Sequence, residues 1–164
     1  MNYHRARALG DNSFTEGQIG FRTKSDTVSY FTDTLVDYTP IVPAAQIVVN
    51  DIMKKQPRIV TLRIYTTQAD GATRAVASND PAEIGKAGTD AEEKAIKDGT
   101  VSFVREKGIV SMTLPLHDRN GEFIAAVRVR LKSFFGETQD NALTRARLVV
   151  EQIQGQVMSD KDLL

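Results

Sequence analysis

The chain has 164 residues, 41% of them apolar and 26% charged, with 21 basic side chains against 21 acidic ones. That length and balance suit one globular domain with a real core and exclude a disordered or fibrous chain, while zero net charge gives no overall field toward nucleic acid or an anionic membrane, local patches apart. Cysteine is absent, which rules out disulfides, thiolate metal sites and cysteine nucleophiles and fits an oxidising compartment.

Residues 1–20 carry Gly10, Gly17 and Gly20 without any hydrophobic period and read as a loose leader. They lack the apolar centre of a signal peptide, and the longest apolar run, Ile41 to Val49, is too short to span a bilayer. Phe21, Val28, Phe31 and Leu35 share a helical face, so a helix is predicted over Arg22–Asp37. Pro40 and Pro43 break it. Pro43 then suits the first turn of a second helix with Ala45, Val48, Val49 and Ile52 inward and Lys54 and Lys55 at its negative end.

Beyond Pro57 the period changes to alternation. Strands are predicted over Arg58–Thr66 and Thr73–Ser78, joined through Asp70-Gly71, with Pro81 stopping the second. Thr89 and Glu92 have the spacing of a capping box opening a short helix that Gly99 ends. Strands follow over Thr100–Val104, Gly108–Leu116 and Glu122–Lys132, the last two paired as a hairpin by the turn residues Asp118 to Gly121. Leu143, Ala146, Val150, Ile153 and Val157 then mark an amphipathic helix from about Thr138. Short connections favour an antiparallel sheet, and the class is α+β. The C-terminal stripe serves either the core or the seam of a homodimer.

Alternation divides the strand residues between two faces. Val60, Leu62, Ile64, Val110, Met112, Leu114, Phe123, Ala125, Val127, Val129 and Leu131 form an apolar set that should meet the helices. The opposite set holds Arg63, Tyr65, Ser111, Thr113, Arg128 and Arg130. Guanidinium groups beside hydroxyls grip a carboxylate through forked bonds, with Tyr65 as a wall with a polar tip, so these six are the expected ligand-binding residues for an anionic or zwitterionic small molecule. The plainer alternative is a solvated sheet face.

Other chemistry has weaker support. Ser111 and His117 share a strand and raise a nucleophile-and-base pairing, but Asp118 points away from His117 as its neighbour and orients it poorly, leaving an exposed turn histidine as the simpler reading. With only His4 besides, no multi-histidine metal site and no cofactor is expected. Asp80, Glu83, Asp90, Glu92 and Glu93 lack the spacing of a calcium loop and read as a solvated face with a helix cap. No phosphate-cradling loop or aromatic-basic platform for RNA is present in the sequence.

Two stretches, Val76 to Lys86 and Leu114 to Val129, resemble the single-Cache family of PAS-like extracytoplasmic sensor modules: the first its segment leaving the second strand, the second its late hairpin. Ile84 beside Gly85 would pack an apolar side chain next to a position open to positive φ, and Gly121 would close the hairpin. The resemblance implies a five-stranded antiparallel sheet with N-terminal helices and a C-terminal helix, a small-molecule pocket and a periplasmic or secreted location. It places one domain over residues 21–158, between the leader and a tail at 159–164. The function so implied is a non-catalytic sensor domain, against a small hydrolase or lyase and a protein-interaction domain as alternatives.

Overall fold

The structure, a computed structural model, describes residues 42–157 and Leu163. The leader and the helix predicted over Arg22–Asp37 lie outside the described residues, as does the tail apart from Leu163. In chain order the elements are α1 (Ala44–Lys55), β1 (Ile59–Thr67), β2 (Thr73–Ser78), α2 (Asp90–Asp98), β3 (Ser102–Glu106), β4 (Ile109–His117), β5 (Phe123–Lys132) and α3 (Gln139–Gln154). The five strands form one antiparallel sheet in the order β2-β1-β5-β4-β3. The α+β class and the five-stranded antiparallel sheet are therefore as the sequence implied. None of the described helices is long and apolar enough to cross a membrane.

The main core lies between one sheet face and helices α1 and α3. Leu62, Ile64, Val110, Met112, Leu114, Leu116, Val127, Val129 and Leu131 meet Val48, Val49, Ile52, Ala146, Val150 and Ile153 there, and Val157 and Leu163 join the same cluster. The C-terminal stripe is thus spent on the chain's own sheet. Two helix glutamines fasten this layer to strand ends. The Gln46 amide takes both backbone groups of Ser78, accepting from its N–H at 2.9 Å and donating to its carbonyl at 2.8 Å. The Gln154 amide does the same for His117, accepting from its N–H at 3.0 Å and donating to its carbonyl. Pairing with β3 stops at Thr113, so Pro115 falls where β4 has no partner on that side, the position a proline tolerates in a sheet.

Strict alternation fails at the bulges. An irregularity between Ile59 and Thr61 puts Ile59 into the core in place of Val60, which is half-buried. Another, between Leu116 and His117, leaves Phe123 38% exposed and outside the core. Ile84 is exposed as well, so it does not pack beside Gly85 as expected. The positive φ at Gly85 and Gly121 is present, 83° and 85°.

Phe123 has found another seat, directly on Gly99, the residue that ends α2 at φ 73°. A Cβ there would stand 2.3 Å from Phe123 Cζ. Gly99→Ala therefore combines a clash with an unfavourable dihedral, and we expect about 1–3 kcal/mol of destabilisation, read as a lowered urea midpoint of the full chain. An unchanged midpoint would mean that the ring gives way freely.

Candidate functional site

The second sheet face is covered in part by α2, through a small cluster of Ala95 with Tyr65, Ala75 and Ala126. The register across the sheet explains what lies beside that cluster. Ser78, Arg63, Arg128, Thr113 and Ser102 are successive cross-strand partners, so one polar row runs over all five strands. The next row holds Thr61, Arg130, Ser111 and Val104. Between these rows and the start of α2 lies a half-open cleft of about 280 Å³, lined by Arg63, Arg128, Arg130, Ser111, Thr113, Ser102, Glu106 and their neighbours. Five of the six residues singled out from the sequence line it. Tyr65 does not: it is buried in the small cluster, and its ring backs the Arg128 guanidinium at 5.7 Å.

Placing Arg63 opposite Arg128 would repel if both were bare. Each arginine of the cleft instead has its own carboxylate. Arg63 Nη1 is 3.0 Å from Glu83 Oε2, and Arg130 Nη2 is 2.7 Å from Glu106 Oε2. Arg128 Nη2 reaches both oxygens of Glu92, at 2.6 and 2.7 Å. The Lys86 ammonium hydrogen-bonded to Glu83, and then Arg63 beside it, hold the Glu83 carboxyl below the usual carboxylate range.

Glu92 is the residue that sequence reading misplaced. Taken as part of a solvated acidic stretch, its side chain is 0% exposed. The capping box forms as expected, and its geometry explains the burial: the N3 side chain turns back over the first turn, here toward the sheet. Its carboxylate accepts from the Thr89 N–H at 2.8 Å, the Thr89 hydroxyl at 2.7 Å, the Thr113 hydroxyl at 3.1 Å and Arg128. A buried carboxylate needs this much. A cap acidic residue facing a strand with an inward arginine was the available signal, but the pairing spans 36 residues.

The three arginines therefore differ in what they have left to offer. Arg128 is consumed by Glu92 and Thr89. Among the described residues Arg130 is held only by the exposed Glu106. Arg63 keeps a buried Nε–H with no partner among the described residues, a donor that burial makes costly to leave unused. These two are the groups free to meet a ligand.

Ser111 and His117 do not form a nucleophile and base. They sit six positions apart on one strand, about 20 Å at strand rise. The His117 ring leans on Phe123 with centroids 4.8 Å apart, outside the cleft. Among the described residues no acidic or histidine cluster is arranged to hold a metal.

No protein-family model matches the chain, and no curated protein does. Solved structures do resemble it. The GAF domain of A. aeolicus nlh2, in an inactive state, is similar at a TM-score of 0.54 and 10% identity, over 73% of this chain and 85% of that one. A GAF sensor protein of Burkholderia vietnamiensis is similar at 0.50 and 15% identity, over 69% and 74%. A type II free methionine-R-sulfoxide reductase of Thermoplasma acidophilum is similar at 0.44 and 12% identity, over 71% and 95%. The similar structures are mostly sensor and regulatory domains, with methionine sulfoxide reductases among them. At these identities the likeness shows the fold alone, the GAF form of the PAS-like class, where the sequence motifs pointed to Cache.

Proposed function

We propose that this chain is a non-catalytic sensor domain that binds a small zwitterionic or anionic metabolite in the cleft between α2 and the polar rows of β1, β5 and β4. The observation that carries this reading is Arg63, a residue of the cleft lining whose buried Nε–H has no partner among the described residues, next to a loosely held Arg130. Three guanidinium groups and three carboxylates balance around it, so a zwitterion suits it better than a bare anion. A ligand carboxylate takes the Arg63 guanidinium, whose turn toward it would also release the unused Nε–H from burial, and the outer face of Arg130, displacing Glu106. Glu106, freed, turns to a ligand ammonium, and Ser111 and Ser102 supply hydroxyls along the floor. The GAF-like fold supports a binding role, and an extracytoplasmic location, implied by the Cache-like motifs, belongs to the same proposal.

A thermal-shift screen of free amino acids and short carboxylates on the full chain tests this. At least one compound should raise Tm, as linkage requires of a ligand that binds only the folded state. Arg63→Met should weaken that compound about tenfold or more, the worth of one charge-assisted hydrogen bond. The variant leaves Glu83 its bond to Lys86, so the fold should persist. A screen without hits, or a hit indifferent to both Arg63→Met and Ser111→Val, would remove the cleft from consideration.

A further inference from the structure

The connection from β5 to α3 holds two adjacent phenylalanines in water. Phe134 is 44% and Phe135 105% exposed. Such a pair is unusual because the loop is not slack. Gly136 turns it at φ 78°, and the Glu137 N–H donates to the Phe134 carbonyl at 3.2 Å. The buried Glu137 carboxylate is ion-paired to Arg145, whose guanidinium lies 5.6 Å over the Phe134 ring and donates to the Lys132 carbonyl at 3.2 Å. Arg105, on the edge strand β3, donates to the Glu137 carbonyl. Phe135 is thereby presented outward by a fastened loop, at no ordering cost on contact.

The surroundings are cationic. The Ser133 N–H bonds the Gly108 carbonyl at 3.0 Å and the Lys132 N–H bonds the Arg58 carbonyl at 3.0 Å, so the β3–β4 turn with Lys107 and the start of β1 with Arg58 border the loop. Arg58, Arg105, Lys107 and Lys132 are exposed, and none is in an ion pair among the described residues. Among the described residues the carboxylates nearby are Glu137 and Glu106, each already paired, and Asp140 in the first turn of α3. On a chain of zero net charge this local excess acts only within about a Debye length, roughly 8–10 Å.

We infer that this end of the sheet is a docking surface for an anionic lipid bilayer, with Phe135 entering the headgroup–acyl boundary and the four cations resting on lipid phosphates. One apolar wedge ringed by Lys and Arg is the combination by which a folded protein lies on such a surface without spanning it. The contact adjoins the Glu106 end of the ligand cleft.

Because the sequence has no tryptophan, Phe135→Trp gives the full chain a single indole reporter at the wedge. Its emission should shift to the blue on adding vesicles of phosphatidylcholine mixed with phosphatidylglycerol, not with phosphatidylcholine alone, and raised salt should reverse the shift. In flotation, Phe135→Ser should reduce binding of the otherwise unchanged protein about tenfold, and Lys107→Glu with Lys132→Glu should reduce it further. Equal binding to neutral vesicles, indifference to Phe135→Ser, or no binding by the parent chain would overturn the inference. Retention on an acidic-peptide resin without vesicle binding would overturn it too, in favour of a protein partner.

Discussion

Arg128→Ala should lower stability by about 3–5 kcal/mol, the range for breaking a buried ion pair from one side. The reason lies in Glu92, which is 0% exposed and would keep its charge without a counter-ion. Shortening the arginine also strips the Tyr65 ring of its cation. Because the pair joins the first turn of α2 to β5, the loss should concentrate there: amide exchange over residues 89–99 should quicken before the rest of the sheet opens. Adding Glu92→Gln to Arg128→Ala should recover part of the loss, since the amide oxygen still accepts from the Thr89 N–H and no buried charge remains. Urea unfolding of the four proteins in that cycle measures the coupling. A cost below about 1 kcal/mol for Arg128→Ala would place the pair in the class of surface ion pairs. One consequence is practical: Arg128 cannot report on ligand binding cleanly, and Arg63 and Ser111 must.

Leu62→Ala should cost about 2–5 kcal/mol by a different route, the cavity left in a packed core. Leu62 is fully buried on the helix side of the sheet, opposite Val129, and its backbone N–H and carbonyl are both held by Asn79. With the backbone pinned, the site collapses poorly and the upper half of the range is expected. Exchange should quicken across the sheet together, without the α2-specific loosening of Arg128→Ala. If the two variants gave the same exchange pattern, the two faces of the sheet would not be energetically separate.

Much of this architecture was legible from local signals. The alternation in β1, β4 and β5, the turn at Asp118 to Gly121, the capping box at Thr89 and Glu92 and the stripe of α3 each specify an element from residues close in sequence, and each element is present. The polar face followed from parity, which is why five of six expected site residues meet in one cleft. Parity failed where a bulge intervened: Val60 exchanged places with Ile59, and Phe123 left the core for Gly99. A bulge is a property of two paired strands and has no signature in one. The carboxylate partners were hidden for a related reason. Glu83, Glu92 and Glu106 reach their arginines from other elements, over separations that no periodicity records, and so a surface expected to be rich in free guanidinium is a balanced one.

The cleft itself is best interrogated at its unpartnered donor. In side-chain 15N spectra of the full chain, titration with a pool of free amino acids and short carboxylates should move the Arg63 Nε–H resonance saturably. The Arg128 resonance, locked to Glu92, should move least of the three arginines. Shifts confined to α1, α3 or the hairpin, with Arg63 unmoved at saturation, would contradict a receptor site on this face of the sheet.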